Sequence, residues 1–139
     1  MRHAATPATI WTESFDAATV SRVRHALGHC LAAAGLTGDN AEDFVLAVNE
    51  LVVNAIRHGG GSGRIRLNRV DGSLVCEVSD RGARSRDASV RYPEPDMPGG
   101  RGLLLAHVLT GSLRLTGGSG GLTAAVSIPL NGASKISRR

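Results

Sequence analysis

The sequence predicts an α/β (α+β) two-layer sandwich, in which one mixed, mostly antiparallel sheet of about five strands carries three helices on one face. Three stretches place apolar residues at helical spacing, namely 17–35, 40–58 and 102–109. The other patterned stretches are short and strand-like, and no strand–helix–strand unit recurs along the chain. We therefore expect one sheet covered on a single side, and not a doubly wound parallel sheet.

Length and composition indicate one cytoplasmic domain. The 139 residues suffice for one hydrophobic core, so residues 1–139 are interpreted as a single domain with its core at about 9–129. A net charge of +4 and an aromatic content of 3% give little to attract nucleic acid or to stack on its bases. The chain shows neither a signal peptide nor the run of about 20 apolar residues that spans a membrane. Cys30 and Cys76 lack metal-binding spacing, and we expect two reduced thiols.

The chain opens with a strand and a helix. Residues 9–15 alternate between two faces and are predicted to form the first strand. Residues 17–35 are rich in alanine and carry apolar side chains at helical spacing. Gly35 is expected to end that helix.

The stretch 40–58 is the most strongly patterned helix. Asp39 is expected to cap it, with Glu42 three positions later completing a capping-box-like pair. At about 100° per residue, one face of this helix carries the apolar residues Phe44, Val45, Val48, Leu51, Val52, Ala55 and Ile56. A second face carries the polar residues Asp43, Glu50, Asn54, Arg57 and His58. The glycines at 59–61 end the helix.

A hairpin and a long loop follow. Strands at 63–70 and 73–79 are joined by Asp71-Gly72, a strong signal for a two-residue turn. Residues 83–99 contain three prolines and no period, and because loops of this length are usually functional we expect a lid. The chain closes with a helix, two strands and a polar tail, at 102–109, 112–116, 122–128 and 130–139.

Glu50 and Asn54 form the first candidate site. Four residues apart on a helix, they project from one face at a separation of about 5–6 Å. Their oxygen atoms are the hard donors that Mg²⁺ prefers, and Mg²⁺ takes only one or two protein ligands. With Asn54 as the ligand, Glu50 is left to orient or deprotonate a nucleophile, and His58 completes the face. A solvated polar helix surface is the alternative interpretation.

Asp80 and Gly82 form the second candidate site. The strand before Asp80 is almost wholly apolar, so Asp80 is expected to end a central strand inside the fold. A buried carboxylate needs a partner, and the N6 amino group of adenine is a donor that one aspartate can accept. Gly82 allows the backbone to approach beneath the base. An ordinary Asp-x-Gly turn is the alternative.

The glycines before the third helix form the third candidate site. The segment Gly100-Arg101-Gly102-Leu103 enters a helix, where free N–H groups and the positive end of the helix dipole suit a phosphate. The sequence contains no Gly-Lys-Ser/Thr of a Walker motif and no dinucleotide fingerprint.

In this order, the motifs resemble the ATP-binding domains of the gyrase, Hsp90, histidine-kinase and MutL superfamily, which share the GHKL or Bergerat fold. The resemblance spans roughly residues 9–129. Within that superfamily the sequence is most similar to the small stand-alone anti-sigma factor serine/threonine kinases and their actinobacterial relatives. The stretches from Val45 to His58 and from Gly100 to Leu105 carry this similarity.

The resemblance implies a role for each motif residue. It makes Glu50 the general base and Asn54 the magnesium ligand, with His58 on the same nucleotide-facing side. Asp80 is matched with the aspartate that reads adenine, and Gly82 stands beside it.

For the remaining motif residues, the resemblance puts Gly100-Arg101-Gly102-Leu103 at the phosphates. Thr123 is matched with a threonine that assists at the adenine, although Leu122 blurs the alignment there. Two positions depart from the pattern: many relatives have a glycine where Arg84 stands, and the histidine-kinase branch commonly has one where Leu104 stands.

The function that the resemblance implies is an ATP- and Mg²⁺-dependent protein kinase that phosphorylates an anti-sigma antagonist and alternately sequesters a sigma factor. Its partners would be ATP or ADP, a single-domain antagonist and a sigma factor, with a homodimer left open. A catalytically silent, nucleotide-gated binding module is the alternative, and the presence of Glu50 favours the kinase. A detached histidine-kinase catalytic domain is disfavoured, because no dimerising histidine helix is present. His25 and His29 lack a third ligand, so no zinc site is expected.

Overall fold

The computed structural model describes residues 7–80, 100–118 and 121–130. Its elements are, in chain order, β1 (Ala8–Asp16), α1 (Val20–Ala33), α2 (Gly38–His58), β2 (Ser62–Val70), β3 (Ser73–Asp80), α3 (Gly100–Thr110), β4 (Arg114–Gly118) and β5 (Gly121–Pro129). The predicted lid at 83–99 and Gly82 lie outside the described residues, as does the tail beyond 130.

The five strands form one sheet in the order β1-β2-β3-β5-β4. Every strand pairing in the described ranges is antiparallel, so the sheet is more uniform than the mixed sheet that was predicted. β3 is central because β5 returns to its side after α3 and β4. The predicted fold class, an α+β sandwich with five strands and three helices, is confirmed.

The sheet has one covered face and one open face, because burial alternates along β3 and β5. The covered face supplies apolar core residues from all five strands: Phe15, Ile65, Leu67, Leu74, Cys76, Val78, Leu115, Val126 and Ile128. The helices pack on this face and contribute the other half of the core. Ser79 and Thr123 lie on the open face.

α1 begins later than predicted because residues 16–19 form a turn. The N–H of Ala18 donates to Asp16 Oδ1 at 2.9 Å, so the backbone there is already hydrogen-bonded before the helix starts. At the other end, Gly35 adopts a φ of +96°, and its N–H donates to a carbonyl of the last helical turn. This left-handed glycine ends the helix, as the sequence predicted.

α2 begins at Gly38, with Thr37 as its N-cap. The predicted capping box of Asp39 and Glu42 is therefore wrong, because Asp39 lies inside the first helical turn. Gly38 has a φ of +71°, a conformation open to glycine, and this lets the chain enter the helix earlier than the pattern indicated.

No helix in the described part of the chain is long and apolar enough to cross a membrane.

The core-facing side of α2 is rotated relative to the prediction. Its buried residues are Phe44, Ala47, Val48, Leu51, Val52, Asn54 and Ala55. The predicted face included Val45 and Ile56, which are only partly buried, and omitted Ala47. The shift occurs because α3 packs along α2 on the side that carries Asn54.

The hairpin between β2 and β3 forms at the predicted dipeptide. Asp71 and Gly72 have φ angles of 56° and 87°. A two-residue turn with both central residues in the left-handed region is the I′ type, whose twist matches that of the strands. This turn fixes the register that brings the end of β3 beside the start of β2.

Candidate functional site

The polar face of α2 is partly covered by α3 around Glu50 and Asn54, whereas Arg57 stays exposed. Asn54 is only 6% exposed, and Glu50 and His58 are half-buried. Gly102, in the first turn of α3, lies against Glu50: a Cβ atom at Gly102 would be 2.8 Å from Glu50 Oε1. The missing side chain therefore leaves room for the carboxylate at the start of α3.

These residues enclose a small polar pocket of about 70 Å³, which we call the α2–α3 pocket. It is lined by Glu50, Val53, Asn54, Arg57, His58 and Gly102. The start of α3 brings free backbone N–H groups and the positive end of a helix dipole to one side of this pocket. A carboxylate, a carboxamide, an imidazole and a guanidinium line the rest. Such a set can bind an anionic group together with a cation.

Asp80 ends β3 and is buried, with 8% of its surface exposed. The backbone N–H of Leu122 on β5 donates to Asp80 Oδ1 at 3.3 Å. The prediction that Asp80 ends a central strand inside the fold is therefore correct. An ionised carboxylate can only accept hydrogen bonds, so Asp80 presents acceptor oxygens at the end of β3.

Asp80 also lines a larger cleft of about 520 Å³, which we call the Asp80 cleft. Its walls come from β1, the turn before α1, β2 and the end of β3: Ser14, Phe15, Asp16, Thr19, Ser62, Gly63, Arg64, Ser79 and Asp80. A cleft of this size is within the range of small-molecule sites in proteins.

Helix α2 lines the α2–α3 pocket, and its C-terminal end lies near the Asp80 side chain. Gly59, directly after the helix, lies against the Asp80 side chain. Asn54 precedes it by five residues, which corresponds to a rise of about 7.5 Å along a helix. An elongated ligand with a hydrogen-bond donor at one end and an anionic group at the other matches this arrangement.

The structure also gives the positions of three other predicted site residues, Gly100, Leu103 and Thr123. Gly100 begins α3, whereas Leu103 is 1% exposed and anchors α3 in the core. Thr123 lies on the open face of the sheet, where its hydroxyl hydrogen-bonds that of Ser79 at 3.0 Å. The structure therefore does not bring Thr123 to the Asp80 carboxylate. Gly82 and the side chain of Arg101 lie outside the described residues.

Two contributions to the site were missed in the sequence. The glycines at 59–61 were interpreted only as a helix stop, although the first of them contacts Asp80. A run of three glycines where one is enough to end a helix was the available signal. The N–H of Leu122 was also missed, because the register between β3 and β5 has no signature in the sequence.

Comparison with known proteins now identifies the fold family. Residues 14–128 match the sequence profile of the histidine kinase-like ATPase domain. The chain belongs to this family of ATP-binding domains. A search of curated proteins with this sequence found no match.

Solved structures resemble this ATPase domain. One is the crystal structure of the RsbU and RsbW domains of Rv1364c from Mycobacterium tuberculosis, with a TM-score of 0.66 and 26% identity over 89% of this chain. The match covers 32% of the mycobacterial chain, so this domain spans about a third of that protein. The Acinetobacter baumannii histidine kinase AdeS is similar in fold, with a TM-score of 0.52 and 17% identity, covering 87% of this chain and 68% of AdeS.

The described residues fit the ATP that membership of the family implies. Gly102 leaves a space that a Cβ atom would fill, next to Glu50 and at the start of a helix. The groups around it suit a polyphosphate and its counter-ion. The buried acceptor at Asp80 suits the amino group of a base.

Proposed function

We propose that this domain is a serine/threonine protein kinase of the anti-sigma factor type, which phosphorylates a single-domain anti-sigma antagonist. It would also bind a sigma factor alternately with that antagonist, and both exchanges would occur in the cytoplasm, where ATP is available. The observation that carries this function is the Glu50 carboxylate, which lies at the start of α3 in the same pocket as Asn54. The similarity to the structure of the RsbU and RsbW domains of Rv1364c supports it.

The α2–α3 pocket supports binding of the triphosphate. Mg²⁺ needs only one or two protein oxygens, because phosphates and water supply the rest. We assign this role to Asn54, whose carboxamide is buried in the pocket wall. When bound, Mg²⁺ offsets negative charge on the phosphates. Arg57, His58 and the backbone N–H groups at the start of α3 are the groups left to bind phosphate oxygens.

Asp80 supports recognition of adenine. Its carboxylate can only accept hydrogen bonds, and the N6 amino group of adenine donates them. Guanine carries a carbonyl oxygen at the corresponding position, so it would present an acceptor to an acceptor. The N–H of Leu122 keeps the carboxylate oriented while the base binds.

Glu50 supports transfer to a protein hydroxyl. As the serine or threonine oxygen attacks the γ-phosphorus, its proton passes to the Glu50 carboxylate, the bond to the bridging oxygen breaks and ADP leaves. Phosphoryl transfer otherwise depends on positioning and electrostatics. A general base typically accelerates such a step by about 10²–10⁴-fold. Proton acceptance by Glu50 is therefore the property that distinguishes a kinase from a protein that only binds nucleotide.

A phosphotransfer assay on candidate single-domain antagonists tests this function. Glu50→Gln keeps the shape of the side chain but removes its basicity, so it should retain ATP affinity and lose about 10²–10⁴-fold in transfer rate. Glu42→Gln is the matched control, because Glu42 is an exposed glutamate of the same helix that does not line the pocket.

Two outcomes distinguish the alternatives. Rapid transfer by wild type and Glu42→Gln, with slow transfer by Glu50→Gln, supports the kinase. Wild-type protein that binds ATP, phosphorylates no antagonist and behaves like Glu50→Gln would be a nucleotide-gated binding module.

A further inference from the structure

A side chain at Gly59 would collide with the Asp80 carboxylate and with the carbonyl of Ala55. The backbone angles of Gly59, φ −114° and ψ 22°, are not in the left-handed region, so the conformation does not require glycine. A Cβ atom at Gly59 would, however, overlap the Oδ2 and Cγ atoms of Asp80. The carboxylate therefore occupies the space that a side chain at 59 would need.

Neither residue can move aside without losing a hydrogen bond. The N–H of Gly59 donates to the carbonyl of Ala55 at 2.8 Å, and a Cβ atom would be 2.7 Å from the same oxygen. Asp80 is held on its other side by the N–H of Leu122. Gly63, which pairs with Asp80 across β2 and β3, fixes the backbone at the strand end. The carboxylate is therefore enclosed between the end of α2 and β5.

The next two residues, Gly60 and Gly61, favour glycine for a different reason, which is their backbone conformation. Gly60 and Gly61 have φ angles of +98° and +93°, so their conformations favour glycine directly. A Cβ atom at Gly61 would meet nothing within 4 Å. Gly59 contacts the Asp80 carboxylate and Gly61 does not, so the contact does not follow simply from a place in a glycine-rich turn.

We propose that Gly59 is a positioning residue that sets the orientation of the Asp80 carboxylate and thereby the preference of the site for adenine. This role rests on the ATP binding of the proposed function, but not on phosphoryl transfer. A side chain at 59 would turn the carboxylate away from the base while Asn54 and Glu50, more than one helical turn earlier, keep their places. Base selectivity would then be lost separately from the Mg²⁺ dependence of binding.

Titration calorimetry with ATP and GTP, each with and without Mg²⁺, tests this role in Gly59→Ala. We expect ATP affinity to fall by at least about tenfold and the ATP-over-GTP preference to fall toward that of Asp80→Asn. The factor by which Mg²⁺ strengthens binding should stay unchanged. In the double variant, Gly59→Ala should add less than about twofold to the effect of Asp80→Asn, since both act on one carboxylate. An unchanged ATP-over-GTP preference in Gly59→Ala, or fully additive effects, would overturn the role.

A stability comparison covers the case in which Gly59→Ala folds poorly. The fall in Tm caused by Gly59→Ala should be smaller in an Asp80→Ala background, where the obstructing carboxylate is absent. An equal fall in both backgrounds contradicts the contact.

Leu31→Ala controls for general loss of stability, because Leu31 is a buried α1 residue that lines neither the α2–α3 pocket nor the Asp80 cleft. It should lower Tm and leave the ATP-over-GTP preference intact.

The wild-type protein distinguishes this role from the proposed function. If it binds ATP but transfers no phosphate, the kinase function is rejected and the role of Gly59 still holds. Wild-type protein that binds neither nucleotide rejects both.

Discussion

Gly102, in the first turn of α3, lies against the carboxylate of Glu50 on α2. Because Gly102 has no Cβ atom, the Glu50 carboxylate lies directly beside it, and the two residues belong to the same small pocket. The pairing of a helical acid with a glycine turn about fifty residues later in the chain is a consequence of how α3 packs on α2. It turns two separate sequence motifs into one site.

Gly102→Ala tests this pairing. The added methyl group would be 2.8 Å from Glu50 Oε1, so the flexible end of Glu50 must shift. We expect phosphoryl transfer to fall by about 10- to 100-fold, because small displacements of reacting groups are costly. Folding stability should not fall, since alanine is favoured over glycine within helices by about 1 kcal/mol.

Gly28→Ala is the matched control for Gly102→Ala. Gly28 is a helical glycine of α1 whose Cβ would meet nothing within 4 Å. Steady-state rates and thermal unfolding of the two variants give the comparison. Full transfer activity in Gly102→Ala would show that Glu50 does not need its observed position.

Asn54→Ala should weaken the Mg²⁺-dependent part of ATP binding. Residues that only hydrogen-bond a metal ligand typically contribute about 10- to 100-fold in metal affinity, so loss of the ligand itself should cost at least about tenfold. Asn54→Asp retains an oxygen donor at the same place and should keep the Mg²⁺ dependence. ATP affinities measured in Mg²⁺ and in EDTA provide the readout. If both variants respond to Mg²⁺ as wild type does, the metal is held elsewhere.

Asp80→Asn should weaken ATP binding without unfolding the protein. The amide oxygen can still accept from the N–H of Leu122, so the packing at the strand end is kept. Loss of a charged hydrogen bond costs about 1.5–3 kcal/mol, or roughly 10- to 150-fold in affinity. Fluorescent-nucleotide competition with ATP and GTP measures both the affinity and the preference. Unchanged ATP affinity would remove Asp80 from the base site.

Cys76 should resist thiol reagents in the folded protein. Burial raises the pKa of its thiol far above the ordinary value, and the Glu77 carboxylate adds to the increase. Burial also raises the pKa of the half-buried Cys30. Because the thiolate is the reactive form, labelling at pH 8 should be slow at Cys30 and should occur at Cys76 only on unfolding. A Cys30→Ser variant isolates Cys76, and rapid labelling of that folded variant would contradict the burial.

Elements with strong local signals were predictable from the sequence. The turn at Asp71-Gly72 and the end of α1 at Gly35 form as expected, because both depend on backbone conformations that few residues adopt. The start of α2 was not predicted, since the positive φ of Gly38 moved the cap to Thr37. Its buried face was also displaced, because α3 covers Asn54.

The same distinction applies to the candidate site. Glu50, Asn54 and His58 share a pocket because helical periodicity alone puts them on one face. Thr123 was matched with an adenine-side threonine by resemblance, and strand register puts its hydroxyl on the open face beside Ser79. Register and helix packing are properties of the whole sheet, and so no local pattern reports them.

The most direct test of the ATP site is isothermal titration of ATP with Mg²⁺ into wild type, Asn54→Ala and Asp80→Asn. The two substitutions lie at opposite ends of the site, joined by the last turns of α2. We predict one ATP bound per chain in wild type, with affinity reduced by at least about tenfold in each variant. Wild-type protein that takes up no ATP, or both variants binding as tightly as wild type, would contradict the account.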